Sequence, residues 1–307
     1  MATNMQSPGV EVLEIDMSAI VPTVSNSVAV FAGSFTQGKT GQFVQVSNSV
    51  ELEGFFGKPT KTNYNDWYQC KTFLDYANTL LISRGLSATA KNAIGFGQMT
   101  TSTIATDGVD VTASNTDVIG NDTDFESAEP SITFPSSADK DVSLKFISKN
   151  PGVWGNSINI AIAKSTDFGA SKYAFDGIGL DEQFEYPAGA GEYAVLVQYN
   201  GEIVERYIVS FDETARDASN RSMYIETAIN SASKYIYVKD NTTLTNAATA
   251  GTEVKSYIFS NTTDKVITLS DGNDGAELSD GEIEAATAVW ENKEEVDKIL
   301  SPIILIL

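Results

Sequence analysis

The chemically suggestive spacing in this chain is Gly33-Ser34-Phe35-Thr36-Gln37-Gly38-Lys39-Thr40, which satisfies the pattern G-x-x-x-x-G-K-[S/T]. In a nucleotide-binding protein, the amides of such a loop cradle phosphates, the lysine reaches their oxygens and the hydroxyl meets magnesium. Gly33, Gly38, Lys39 and Thr40 are therefore the candidate cofactor-binding residues. That chemistry also needs a helix starting at the Lys-Thr pair, whose N-terminal amides hold the phosphates. Here Thr40 is followed by Gly41 and the strand-like Gln42-Phe43-Val44-Gln45-Val46. A magnesium-organising acid at the end of an apolar strand is only weakly supplied, by Asp240 or Asp271. The run reads as a glycine-rich turn between two strands with Lys39 in solvent, so no cofactor is assigned. A P-loop nucleotide-binding protein stands as the alternative.

Other reactive groups are sparse. The chain has no histidine, which excludes every His-based triad and removes the commonest metal ligand. Its one cysteine, Cys70, can form neither an internal disulfide nor a multi-Cys zinc site. Ser270-Asp271-Gly272-Asn273-Asp274-Gly275 resembles the start of a calcium loop, but a glycine occupies the place of the third oxygen ligand, and a strand-to-helix turn is the better account. The acids Asp107, Asp110, Asp117, Asp122, Asp124, Glu126 and Glu129 lack calcium-loop spacing and read as a solvated surface. No metal site and no catalytic residue is expected, and the chain does not read as an enzyme.

These residues must be placed by strands and helices that the pattern shows. Ser27 to Ala32 is an almost continuous apolar run, as in a strand buried on both faces. Asn48 is positioned to cap a short helix ending near Gly54 or Gly57. Trp67, Cys70, Phe73, Leu74, Ala77, Leu80 and Leu81 recur at helical spacing, predicting a helix from Asp66 toward Gly85 with Cys70 in its apolar stripe. Strands are expected at Val142–Ser148, Ile158–Ala163 and Tyr235–Val238, and helices at Ser222–Ser231 and Gly281–Ile299. Tyr193–Tyr199, Asn200-Gly201 and Glu202–Phe211 form the clearest hairpin, because Asn-Gly accepts the positive φ angles of a type I′ turn. Trp154 reads as a packing anchor.

The 307 residues are enough for about two ordinary domains. Twenty Lys and Arg against forty-one Asp and Glu give a net charge of −21, which disfavours direct binding to nucleic acid or to anionic membranes. Neither a signal peptide nor a membrane span is expected. Val10, Glu11, Val12, Leu13, Glu14 and Ile15 follow a Pro-Gly turn signal and read as an extended arm, either a local edge strand or one that pairs with another subunit. Ser301-Pro302-Ile303-Ile304-Leu305-Ile306-Leu307 reads as a buried strand. An acidic β-rich surface-binding module is a further alternative, resting on residues 86–260.

Several segments, in order, resemble the tail sheath proteins of contractile-tailed bacteriophages, closest to the T4-like branch. They are Ser7-Pro8-Gly9-Val10-Glu11-Val12, Ser25 to Gly33, Phe55-Phe56-Gly57-Lys58-Pro59-Thr60, and the helix from Asp66 with Phe73-Leu74-Asp75-Tyr76-Ala77-Asn78. Asn150-Pro151-Gly152-Val153-Trp154-Gly155-Asn156-Ser157-Ile158, the hairpin from Tyr193 to Phe211 and Leu269 to Gly275 follow. Where this chain has Gly38-Lys39-Thr40, the family commonly has Gly-Pro or another turn-forming pair.

The resemblance implies an α+β or α/β multi-domain fold, in which an inner α/β core domain carries inserted, β-rich outer domains. On that basis the expected divisions are an arm over 1–20, a core over 21–86 plus 262–307, a polar acidic insertion over 87–141 and a β-rich insertion over 142–261. A sheath protein would continue past Leu307, so the core is expected to be incomplete. The resemblance further implies a virion protein made in the host bacterial cytoplasm, stacking as hexameric rings and exchanging strands through arms such as Val10–Ile15. Its partners would be itself, the tail tube protein, and the baseplate and tail terminator proteins.

Overall fold

Alternating apolar residues and turn chemistry divide the chain into short strands and few helices. In the computed structural model, residues 28–99, 118–134, 136–137, 140–164, 168, 173–175, 178–179, 183–242 and 266–288 are described. In chain order these carry β1 (Val28–Ser34), β2 (Phe43–Val46), α1 (Ser49–Phe56), α2 (Tyr64–Leu74), β3 (Thr79–Gly85), β4 (Ile94–Met99) and α3 (Asp122–Ala128). Next come β5 (Ser136–Ser137), β6 (Lys140–Ser148), β7 (Ile158–Lys164), β8 (Tyr173–Phe175), β9 (Ile178–Gly179), β10 (Glu192–Tyr199) and β11 (Glu202–Ser210). The series closes with α4 (Ile225–Ala232), β12 (Ile236–Asp240), β13 (Val266–Thr268) and α5 (Asp280–Ala288). The mixed helix and strand content is α+β.

The first sheet has the order β1-β3-β2, with β1 parallel and β2 antiparallel to β3. Leu80 and Ile82 of β3 join Ala29 and Phe31 of β1 against Leu52 and Phe56 of α1 and Trp67 and Cys70 of α2. As the sequence predicts, Asn48 caps α1, its Oδ1 accepting the amides of Val50 and Glu51 at 3.0 and 2.9 Å.

Two expectations are corrected here. The helix read from Asp66 toward Gly85 stops at Leu74, and Leu80 and Leu81 lie on β3. A central strand buried on both faces has no alternation, so its leucines continued the helical spacing by coincidence. The strand read as buried on both faces is β1, yet Val28 to Ala32 are only half-buried, and β3 holds the central position.

The other two principal sheets form a sandwich. One has the order β11-β10-β7-β13 and the other β12-β6-β4, with β5 paired to β6. Their facing residues, Ile158, Ile160, Val195 and Val197 against Leu144, Phe146, Ile236 and Val238, close the largest core together with Ile225 and Ile229 of α4. The outer face of the second sheet is covered where Phe125 of α3 stacks on Tyr237 at 4.2 Å between ring centroids. The expected hairpin is present as β10 and β11, with Asn200 and Gly201 at φ of 50° and 87°. Trp154 packs edge-on against Tyr199.

Strand pairing crosses the expected divisions. β4, in the region read as a polar insertion, is hydrogen-bonded to β6, and β13, read with the core, is hydrogen-bonded to β7. Apolar strands need partners on both edges more than they follow composition boundaries. Of the helix read over Gly281–Ile299, Asp280–Ala288 is described, and it packs against β1 and β3. Its start is a capping box: Ser279 Oγ accepts the Glu282 amide at 3.4 Å and Glu282 Oε2 accepts the Ser279 amide at 2.7 Å.

Candidate functional site

The loop over Gly33–Thr40 leaves the end of β1 and runs over the end of β3, where Arg84 stands. Arg84 is 3% exposed. Its Nε donates to the Phe35 carbonyl at 2.9 Å, its Nη1 to that of Gly38 at 3.0 Å, and its Nη2 to those of Thr36 at 3.3 Å and Pro151 at 2.9 Å. The loop thus turns its carbonyl oxygens inward onto a cation that the chain itself supplies. A phosphate cradle does the reverse and turns amides toward an anion.

The amides of the loop are also engaged. Gly38 donates to Asn150 Oδ1 at 3.0 Å, and Thr40 donates to the Gly120 carbonyl at 3.1 Å. Gly38 sits at a φ of 114° against the ring of Phe56, a conformation and a closeness that exclude a side chain. After Thr40 the chain enters β2 rather than a helix. Gly33, Gly38, Lys39 and Thr40 are therefore close in space, but their geometry is not that of a P-loop.

Lys39, expected in solvent, instead reaches Asp122 at the start of α3, Nζ to Oδ2 at 2.7 Å. The other oxygen of Asp122 accepts Lys149 Nζ at 3.0 Å and Tyr237 OH at 2.7 Å. Asp122 is half exposed, in keeping with a solvated surface, and its carboxylate is also the meeting point of three donors. Lys149 also lies 3.8 Å from the centre of the Tyr237 ring and donates to the Asn230 carbonyl at 3.1 Å. Partial burial pushes the Asp122 carboxyl up, but hydrogen bonds from Lys39, Tyr237 and Lys149 outweigh it and hold it well below the usual carboxylate range. Burial draws the Lys149 ammonium down, and Asp122 offsets only part of this.

The turn Ser270–Gly275 closes the same region. Asp274 Oδ1 accepts the Val153 amide at 2.9 Å, and Asn156 pairs with Gly272 through both its amide atoms, at 2.8 and 3.0 Å. Ser270 and Asn273 exchange backbone hydrogen bonds with Ile94 and Lys91. The side-chain oxygens of Asn273 and Asp274 thus accept backbone amides, and among the described residues no group of three or more His, Cys, Asp or Glu could hold a metal ion. Burial draws the Arg84 guanidinium down to about 10, against the pull of Asp274, so it is charged at neutral pH.

Cys70 is buried, and burial followed by the nearby Asp66 pushes its thiol up to about 12, which suits a core residue. Sequence reasoning missed Arg84, Asp122, Asn150 and Asp274 as partners. The one local signal was a cation, Arg84, ending the apolar run Leu80-Leu81-Ile82. Val10, Glu11, Val12, Leu13, Glu14 and Ile15 lie outside the described residues. Among the described residues no helix is long and apolar enough to cross a membrane. The arrangement joins the first sheet to the sandwich by charge-assisted hydrogen bonds, those of Arg84 to Phe35, Gly38 and Pro151 buried and that of Lys39 to Asp122 exposed.

No protein-family model matches the chain. It is 35% identical over 103 residues to the tail sheath protein of Enterobacteria phage T4, a match covering 33% of this chain and 16% of that protein. It is 30% identical over 117 residues to the tail sheath protein of Vibrio phage KVP40, covering 38% of this chain and 16% of that protein. Among solved structures, a sheath tail protein of Desulfitobacterium hafniense aligns with a TM-score of 0.42 at 12% identity, covering 86% of this chain and 39% of that one. A sheath tail protein of Listeria innocua aligns with a TM-score of 0.45 at 13% identity, covering 87% of this chain and 38% of that one. The matched segments are a minor part of each phage protein's length, and over them this chain is similar to the tail sheath proteins of these two phages.

Proposed function

We propose that the chain is a structural subunit of a contractile phage tail sheath, polymerising as stacked hexameric rings around the tail tube and contracting to drive the tube through the host envelope. The observation that carries this reading is the 35% identity over 103 residues to the T4 tail sheath protein. In this reading the chain works in the virion after synthesis in the host bacterial cytoplasm. Its partners are other copies of itself, the tail tube protein and the baseplate and terminator proteins. The divisions at 1–20, 21–86 plus 262–307, 87–141 and 142–261 serve as arm, core and outer parts, with β4 and β13 binding them together. Val10–Ile15 add a strand to a sheet of a neighbouring subunit.

Contraction of such a polymer is relaxation from one packing to a better-buried one, so the subunit needs no hydrolytic site. The inward-facing loop around Arg84 agrees with a mechanical role, because it ties sheets together where force would cross between them. The test is negative-stain electron microscopy of the gene product expressed through its whole reading frame, with and without residues 1–20. Hollow helical tubes that vanish when residues 1–20 are removed are expected. Absence of any tubular polymer, together with failure to co-purify with tails, would overturn the reading.

A further inference from the structure

We propose that α4 guards the outer edge of β12, its polar groups standing where a neighbouring strand would, and that loss of this guard lets β12 pair with β12 of a second copy of the chain. Among the described residues β12 has a strand on one side alone, β6, in an unshifted register from Ile236 opposite Ser148 to Asp240 opposite Leu144. In an antiparallel edge strand every second residue turns both its amide and its carbonyl away from the sheet. The Tyr235 carbonyl accepts from Lys149 and the Asn241 amide donates to Ser143, both toward β6, so the outward residues are Ile236, Val238 and Asp240.

All three outward amides are met by side chains. Ile236 donates to Ser233 Oγ at 2.9 Å, Val238 to Asn230 Oδ1 at 2.7 Å and Asp240 to Glu226 Oε1 at 2.5 Å. Asn230 also returns a bond, Nδ2 to the Val238 carbonyl at 2.9 Å, so its amide group pairs with one residue through a donor and an acceptor as a strand residue would. Glu226, Asn230 and Ser233 follow one another at four- and three-residue spacing, which sets them on one face of α4 and its C-terminal cap. This face is not the one that packs: Ile225 and Ile229 bury α4 in the sandwich core. Ser233 Oγ donates in turn to Glu205 Oε2 at 2.6 Å, and the Lys234 amide to Oε1 of the same carboxylate at 2.7 Å, which pins the end of the guard to β11.

The strand beneath has little protection of its own. Tyr235-Ile236-Tyr237-Val238 is built of aromatic and β-branched residues, and β12 carries neither proline nor bulge. Lys239, the residue that would repel a second chain, is neutralised by Glu129 and Glu226. Laid antiparallel about Val238, two copies of this edge bring outward amides to outward carbonyls, a self-complementary pairing that closes as a dimer. The proposal rests on the sandwich alone and is independent of the sheath reading.

The test uses the full chain with Glu226→Ala and Asn230→Ala combined, and reads residue-resolved hydrogen exchange together with sedimentation velocity over a wide range of concentration. In the unsubstituted chain the Val238 and Asp240 amides are expected to exchange as slowly as those of Tyr237 and Lys239, which point toward β6. In the dilute variant they are expected to exchange about tenfold faster while Tyr237 stays protected. At high concentration the variant is expected to dimerise and the protection of Val238 and Asp240 to return. Free exchange of these two amides in the unsubstituted chain, or a variant that stays monomeric at every concentration, overturns the proposal. Association that leaves both amides exchanging freely also overturns it, because the contact then lies elsewhere. Asn230→Ala alone, which leaves Glu226 and the apolar face of α4 intact, carries the same expectation at Val238 where the double variant does not fold.

Discussion

The guanidinium of Arg84 and the carbonyl of Pro151 are joined by a 2.9 Å hydrogen bond that crosses from the first sheet to the segment between β6 and β7. Three more bonds from the same side chain hold the loop between β1 and β2. The planar fork, with donors fixed in several directions, is what allows one residue to satisfy carbonyls from two parts of the chain. Arg84→Lys keeps the charge but cannot span them, and it is expected to cost about 3 kcal/mol through unpaired buried carbonyls. Arg84→Met is expected to cost at least as much. Urea unfolding monitored by tryptophan fluorescence checks both, and midpoints equal to that of the unsubstituted chain would remove Arg84 from its joining role.

The Asp122 cluster predicts a pH dependence of definite sign. The folded-state carboxyl is held below its unfolded value of about 3.9, so its stabilisation is fully present above that value and is lost as pH falls through the folded value. The Asp122 side chain is 50% exposed, and solvent screening limits the effect to about 1 kcal/mol at neutral pH. Asp122→Asn should therefore lower stability at pH 7, with a difference that is flat down to about pH 5 and shrinks below about pH 4. Lys149→Ala should cost more than Lys39→Ala, because the Lys149 side chain is 7% exposed and that of Lys39 43%. Equal losses from the two lysines, in matched denaturant titrations, would contradict this ranking.

Much of the fold was legible where its signals are local. Asn200-Gly201 fixes a turn whatever surrounds it, and Asn48 caps α1 with its own side chain. The helix read through Leu80 and Leu81 failed for a tertiary reason: only after β1 and β2 flank that run is it a strand. The joint was not legible at all. Arg84, Asp122, Asn150 and Asp274 come from separate elements, and no spacing in the chain announces that a loop with a P-loop signature will turn its carbonyls inward. What the sequence did carry was the objection to the signature, since Gly41 and the strand after it leave no helix to hold a phosphate.

Cys70 predicts slow thiol chemistry. Its burial and the nearby Asp66 raise the thiol to about 12, so almost no thiolate exists at pH 8. The native chain is expected to leave an aromatic disulfide reagent unreacted, with one equivalent consumed once denaturant is added. Rapid labelling without denaturant would mean that α2 opens from the first sheet far more readily than its packing implies.

The hairpin turn offers a change confined to backbone conformation. Gly201 has a φ of 87°, and a Cβ added there would meet no atom within 4 Å, so Gly201→Ala meets no steric neighbour. The whole effect is then the left-handed conformation of a residue with a side chain, about 1 kcal/mol. Asn200, at a φ of 50°, tolerates glycine, and Asn200→Gly should be nearly neutral because relief of strain opposes the added freedom of the unfolded chain. β10 lies between β11 and β7, so the loss at Gly201 should appear in global unfolding as well as in local fraying. Thermal melts of the two variants separate these effects: Gly201→Ala lowers the midpoint and Asn200→Gly leaves it near that of the parent. The opposite order would mean that the turn is not type I′ in solution.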